Sequence, residues 1–244
     1  MRVAVLADVH GNAPALEAVL AEVAREQPDR IVFLGDLTWG SFPAETLALV
    51  APLADQAVFI RGNAERDLVA FYDTLEDDSS ERVRWMVSRH TPEARDFLAG
   101  FRDSAVLELD GLGTALFCHG SPRSVEELVT EATPEDRMGE LLAGVDEDVL
   151  VTAHTHVRYD RRVLDKRTLN PGSVGRPYEG SPGAFWALLG PDVDFRCTEY
   201  DVEATVARMR AAGEPRVEEM IELLLRPHSR EEATEHAEGV RFSG

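Results

Sequence analysis

Five apolar runs in this chain stop abruptly at side chains able to bind a metal ion. VAVLA precedes Asp8-Val9-His10, RIVFL precedes Gly35-Asp36, AVFIR precedes Gly62-Asn63, TALFC precedes His119, and DVLVTA precedes His154-Thr155-His156. Short apolar runs of this length read as buried strands. A strand that ends in a ligand sets that ligand at the carboxyl edge of its sheet. Strands lying side by side then gather their ligands at one edge, where open α/β sheets bind. Of the 7 histidines, His10, His119, His154 and His156 all fall at these ends, which polar loop residues placed by chance would not explain. Asp, His and Asn together make a hard-to-borderline donor set. It suits Mn, Fe, Zn or Ni better than a thiolate-seeking metal.

Taken in order, D-x-H, G-D, G-N, H-G and A-H-T-H resemble the motifs of the calcineurin-like metallophosphoesterases. Asn170-Pro171-Gly172-Ser173, soon after the histidine pair, is similar to the small bacterial and archaeal branch of that family. The resemblance runs from Asp8 to about Gly175. It implies an α/β fold, a four-layer α/β/β/α sandwich of two mixed sheets, and a pair of divalent transition-metal ions, Mn²⁺ first, with Fe, Zn or Ni as alternatives. Asp8, His10 and His156 would hold one ion and Asn63, His119 and His154 the other, with Asp36 bridging. Asp36, Asn63 and His119 would also carry catalysis. On a regular strand His154 and His156 would face opposite ways, so both reach inward only from a turn past the strand end. Gly35, Gly62 and Gly120 read either as turn glycines or as points of close backbone approach.

Two ions roughly 3.5–4 Å apart imply in-line attack by a metal-bridging hydroxide on a phosphoester or phosphoanhydride, with no covalent enzyme intermediate. No nucleophilic Ser or Cys is required, and Cys118 reads as a buried strand residue. Substrates of similar proteins include phosphodiesters, diadenosine polyphosphates, nucleotides and phosphoproteins, and the motifs do not choose among them. One position departs from the pattern. Many relatives carry a histidine after the strand-end Asn, to assist the leaving group, and here Ala64 stands there. A missing general acid costs about 10²–10⁴-fold on poor leaving groups. Leaving groups of low pKa are therefore the favoured reading. A substitute acid such as His90, which otherwise reads as a surface helix residue, and a catalytically weak metal-binding scaffold are the alternatives. Arg123 and Arg176 follow the His119 and Asn170 segments and are candidate phosphate contacts. A surface ion pair is the competing reading for each.

The net charge of −20 disfavours nonspecific nucleic-acid binding, which relies on Lys and Arg neutralising phosphates. A small phosphorylated substrate remains compatible, because bound cations invert the charge locally. No apolar run is long enough to span a membrane. The opening MRVAVLADVHGN turns polar too soon for a secretory signal, so the expectation is a cytoplasmic protein.

Along the chain, a strand–helix–strand–helix–strand order up to Ile60 predicts a parallel half-sheet with right-handed crossovers. The helix expected over 13–25 has Asn12 to cap it. Residues 65–101 break the rhythm and read as a helical insert able to cap the site. They include an acidic stretch through Asp77 and Asp78. Hairpins are predicted at Gly111-Leu112-Gly113 and at Asp165-Lys166, and a helix over 134–142 capped by Thr133. The second half therefore reads as more antiparallel than the first. Helices within 201–225 are amphipathic and acidic, suited to docking on the sheet body or on a second copy of the chain. One domain over 1–225 followed by a polar, mobile tail over 226–244 is the resulting organisation, with His228 and His236 outside the site.

Overall fold

A computed structural model describes residues 1–76 and 79–240. Asp77 and Asp78 of the acidic stretch and the last four residues of the tail lie outside the described residues. The first half alternates as its pattern predicts: β1 (Val3–Leu6), α1 (Ala13–Glu26), β2 (Arg30–Leu34), α2 (Pro43–Val50), β3 (Ala57–Ile60). Asn12 caps α1, its Oδ1 accepting from Ala15 N at 3.3 Å. The insert folds as α3 (Asn63–Asp73), α4 (Glu81–Ser88) and α5 (Pro92–Ala99). The second half holds β4 (Ser104–Leu109), β5 (Gly113–Cys118), α6 (Glu135–Leu141), β6 (Val149–Val151), β7 (Tyr159–Val163), β8 (Lys166–Asn170), β9 (Ala184–Leu189) and β10 (Val193–Thr198). Three helices close the described chain: α7 (Val202–Ala212), α8 (Val217–Leu225) and α9 (Arg230–Gly239).

The strands form two five-stranded mixed sheets, ordered β10-β9-β1-β2-β3 and β4-β5-β6-β8-β7. Strands β1, β2 and β3 are parallel, and so are β5, β6 and β8. The last hairpin does not extend the second sheet. It returns to the free edge of β1 and pairs antiparallel with it. The second half of the chain is thus more antiparallel than the first, as expected, with β4-β5, β7-β8 and β9-β10 antiparallel, and the hairpin's return makes the first sheet mixed as well.

Strand alternation builds the layers. Val3 and Val5 point between the sheets, with Val32, Leu34, Phe117, Val149, Val151 and Leu169. Ala4 and Leu6 point the other way, onto Leu16, Val19 and Val23 of α1. Leu150 turns outward to Met138 and Leu141 of α6. The central strands β1, β6 and β9 are buried on both faces, which is why they read as continuous apolar runs, whereas β4 and β7 alternate exposed residues with more buried ones.

Two local expectations change. Thr133 does not cap α6. Pro134 precedes the helix, and the Thr133 hydroxyl is drawn to Glu238 Oε1, 2.7 Å away. Part of the tail is regular structure, since residues 230–239 form α9, started by a capping box between Ser229 and Glu232. No helix among the described residues is long and apolar enough to cross a membrane.

Candidate metal centre

All six parallel strands point their carboxyl ends to one edge, and each hands over to a segment that builds the site. Asp8 and His10 follow β1, Asp36 follows β2, Asn63 follows β3, His119 follows β5, and His154 and His156 follow β6. The segment after β8 binds these loops together. Ser173 Oγ donates to Asp8 O (2.7 Å), and Asn170 Nδ2 donates to Ala153 O (2.8 Å) and Thr155 Oγ1 (3.0 Å). The Asn170-Pro171-Gly172-Ser173 motif therefore clips the first sheet's ligand loop to the second's.

The turns are unusually tight. Asp8, His10, Asp36, His154 and His156 all have positive φ, between 46° and 67°. Left-handed backbone is uncommon outside glycine and is tolerated best by Asp, Asn and His. It costs of order 1–3 kcal/mol per residue and persists where surrounding structure enforces it. Here it turns each chain off its strand so that the side chain points back into the edge. His154 and His156 both escape strand alternation in this way. Close packing explains Gly35 and Gly62. A Cβ on Gly35 would lie 2.3 Å from His119 Nδ1, and one on Gly62 would lie 2.2 Å from Asp36 Oδ1.

The predicted ligands fall into two groups. Ligand atoms of Asp8, His10 and His156 lie within 4.8 Å of one another, and so do those of Asp36, His119 and His154. Asn63 joins the second group, with Oδ1 3.1 Å from His119 Nε2. Asp36 reaches both: Oδ2 is 3.6 Å from His10 Nε2, and Oδ1 is 3.5 Å from His119 Nε2.

The donor chemistry fits cations. His156 Nδ1 donates to Arg176 O (2.6 Å) and His119 Nδ1 donates to Leu34 O (2.8 Å). Each Nε2 is then a bare lone pair aimed into the cluster, the usual arrangement for a metal-binding imidazole. Asp8 Oδ1 is buried without a hydrogen-bond partner. The Asn63 amide faces only acceptors: its NH2 turned inward donates to Asp36, His119 and His154, and its oxygen turned inward suits a cation among them. Electrostatics agree. Burial pushes the Asp8 and Asp36 carboxyls up to about 6. Burial pushes His154 down to about 4 and His156 to about 3, leaving their rings neutral and ready to coordinate.

Several surrounding residues differ from expectation. Glu65 was not anticipated. It is buried, and its carboxylate accepts from Asp36 N (2.9 Å), Leu37 N (2.7 Å) and Gly62 N (2.8 Å). Its position three residues after Gly62 is the spacing of a helix-capping glutamate, and that was the available signal. Ala64 is buried beside it, and its backbone N–H donates to Asp36 Oδ1 at 2.9 Å. His90 is not a surface residue: it is buried, and its ring is hydrogen-bonded to Met86 O (2.9 Å) and Thr38 Oγ1 (3.1 Å). Arg123 forks onto Glu127 at 2.6 and 2.8 Å, in a groove with Arg137 and Glu140. Arg176 stays beside the cluster. Its guanidinium lies 5.6 Å over the Tyr178 ring, and that ring stacks on His156 at 4.8 Å.

Two cavities flank the centre. A small one runs from His10 and Arg176 to Arg82 of the insert and to Met209, Met220 and Leu224 of α7 and α8. A larger one, about 700 Å³, opens from His154 and Arg176 to Tyr178 and α9. The insert thus contributes Arg82 to these walls, while the C-terminal helices supply much of the rest. Residues His228 and His236, set outside the site on sequence, line the larger cavity.

Comparison with known proteins adds family evidence. A model of the calcineurin-like phosphoesterase superfamily domain matches residues 1–189. The crystal structure of a metallophosphoesterase from Sphaerobacter thermophilus superposes with a TM-score of 0.75 at 28% identity, over 92% of this chain and 98% of that one. The hypothetical protein PH1004 from Pyrococcus horikoshii OT3 gives a TM-score of 0.80 at 22% identity, over 93% and 99%. The uncharacterized protein MJ0912 of Methanocaldococcus jannaschii is 24% identical over 224 residues, which is 82% of this chain and 88% of that one. The shared fold is the two-sheet sandwich described above.

Proposed function

We propose that this chain, which belongs to the calcineurin-like phosphoesterase superfamily, hydrolyses a phosphoester or phosphoanhydride with the help of two divalent cations. The observation that carries this reading is the convergence of two carboxylates, four imidazoles and one amide at the shared carboxyl edge. Asp8, His10 and His156 would hold one cation and Asn63, His119 and His154 the other, with Asp36 common to both. Mn²⁺ is the first choice for such a set, and Fe, Zn or Ni are compatible. When bound, a cation pair lowers the pKa of water and draws charge from phosphoryl oxygens.

The protein's own residues set what else the site does. Arg176 offers a guanidinium suited to a phosphoryl oxygen pair. Arg123 is engaged by Glu127, so it would need to exchange that partner to touch substrate. Nothing at Ala64 can donate a proton to the departing oxygen. The reading therefore favours aryl esters, anhydrides and other leaving groups of low pKa. Covalent catalysis by Cys118 is disfavoured, because burial drives its thiol far above the usual range. The net charge of −20 favours a small phosphorylated substrate over a polyanion.

The direct test is hydrolysis of bis-p-nitrophenyl phosphate with added Mn²⁺ and with chelator. Turnover that needs the metal and is lost with chelator is expected. A pure, metal-loaded sample inactive on every phosphate ester would favour the scaffold reading instead.

A further inference from the structure

We propose that the cavity between Tyr178 and α9 receives the organic half of the substrate, an aromatic or heterocyclic group esterified to phosphate, and that His228 determines specificity there. The proposal rests on the hydrolytic reading only for which end of the ligand faces the cations.

The first argument is volume. About 700 Å³ is far more than a phosphate group needs and lies within the usual range for small organic ligands. The second is placement. His154 and Arg176 line this cavity from the cluster side, and His228 and His236 line it from the tail. The third is chemistry. A continuous series of rings leads outward: His156 stacks on Tyr178 at 4.8 Å, and Tyr178 meets His228 edge-on at 5.5 Å. Leu128, Leu223, Ala233 and Ala237 complete apolar walls that suit a planar ring. In a chain with 45 acidic and 25 basic residues, the cavity gathers three imidazoles and a guanidinium. Glu232, its acidic group, is turned to the Ser229 N–H at 2.9 Å.

The wall is also firmly held. His228 O accepts from Gly180 N at 2.9 Å, and Arg230 donates to Arg158 O at 2.7 Å. At the other end of α9, Glu238 Oε1 accepts from the hydroxyls of Thr130 and Thr133 at 2.6 and 2.7 Å. A polar helix with little apolar surface of its own is thus fixed at both ends over the cavity, which is how a pocket wall is preorganised.

The test compares two non-hydrolysable ligands that share a phosphonate and differ in the ring. Dissociation constants for phenylphosphonate and methylphosphonate are measured by calorimetry on the Mn²⁺-loaded full chain. The wild type should prefer the phenyl compound about ten- to a hundredfold, the range expected for burying one ring. His228→Ala, which removes a wall, and Ala233→Phe, which fills the space, should each cut that preference to about threefold or less. Affinity for methylphosphonate should stay within about twofold of wild type. Equal wild-type affinities, or a preference retained by both variants, would overturn the proposal. Absence of turnover on bis-p-nitrophenyl phosphate with the preference intact would sink the hydrolytic reading and leave this pocket standing.

Discussion

The Nε2 atoms of His10 and His156 lie 3.1 Å apart, close enough for a hydrogen bond. His156 spends its ring proton on Arg176 O through Nδ1, so its Nε2 offers only a lone pair. That lone pair can take a proton from His10 Nε2 or share a cation with it, and the Asp8 and Asp36 carboxylates, 3.3 Å from the His156 ring and 3.6 Å from the His10 ring respectively, favour the cation. His156→Ala removes a donor from the first trio alone, so metal content should fall toward about one ion per chain. Asp36→Ala removes the carboxylate common to both groups and should deplete both ions. Affinity in Asp36→Ala should drop by more than the roughly 10–100-fold typical of an outer-shell partner. Elemental analysis after gel filtration reads both outcomes. Unchanged stoichiometry in both variants would contradict the assignment.

The same cluster sets a pH dependence for cation binding. Burial, reinforced for Asp36 by the neighbouring Asp8 carboxylate, raises both carboxyls to about 6. A cation binds the deprotonated form. Affinity should therefore be level above that value and fall as pH drops through it, with protons from both groups competing. The histidines add little to this window, because His154 and His156 titrate near 4 and 3 and are already neutral. Mn²⁺ titrations between about pH 5 and 8 measure the slope. A flat profile across that range would show that the carboxylates do not take part.

Glu65 holds the second ligand loop in shape. Glu65→Ala would strand the backbone donors of Asp36, Leu37 and Gly62, which the carboxylate now satisfies. Each buried unsatisfied donor costs about 1–3 kcal/mol. Glu65→Gln keeps one acceptor oxygen and should lose less stability. Because the loop carries Asp36, both changes should also weaken metal affinity, by roughly 10–100-fold in the alanine case. Denaturant titration with and without Mn²⁺ separates the two effects. Wild-type metal affinity in a destabilised Glu65→Ala would mean that the loop is held by something else.

The ligands were legible because a parallel strand delivers its last residue to a common edge. That rule is local to each strand and needs no knowledge of the sheet order. Sheet membership of the last hairpin was not legible, since nothing between Ala184 and Thr198 says which free edge it will join. Helix α9 was hidden for another reason. Its composition is polar, and its fixed position comes from long-range partners such as Thr130 and Thr133 for Glu238. His228 and His236 went with it. His90 sits among polar neighbours, but Thr38 from a distant loop gives its buried ring a partner. Arg123 is the reverse case, because Glu127 four residues on was a visible partner for it.

Ala64 carries the sharpest kinetic prediction. It is the second residue of α3, after Asn63, with its N–H on Asp36 Oδ1, so its Cβ belongs to the first turn beside the ligand groups. With no acid at this position, charge on the leaving oxygen must be carried by the leaving group itself. Turnover across a series of aryl phosphodiesters should therefore fall steeply as leaving-group pKa rises. Ala64→His restores an imidazole and should flatten that dependence. The gain should be greatest on the poorest leaving groups, up to about 10²-fold, and small on p-nitrophenolate. The residue is 7% exposed, so its neighbours must shift to make room for a ring. Thermal stability and Mn²⁺ content of the variant check that the ring has been accepted. A wild-type plot that is already flat would mean that another group protonates the leaving oxygen.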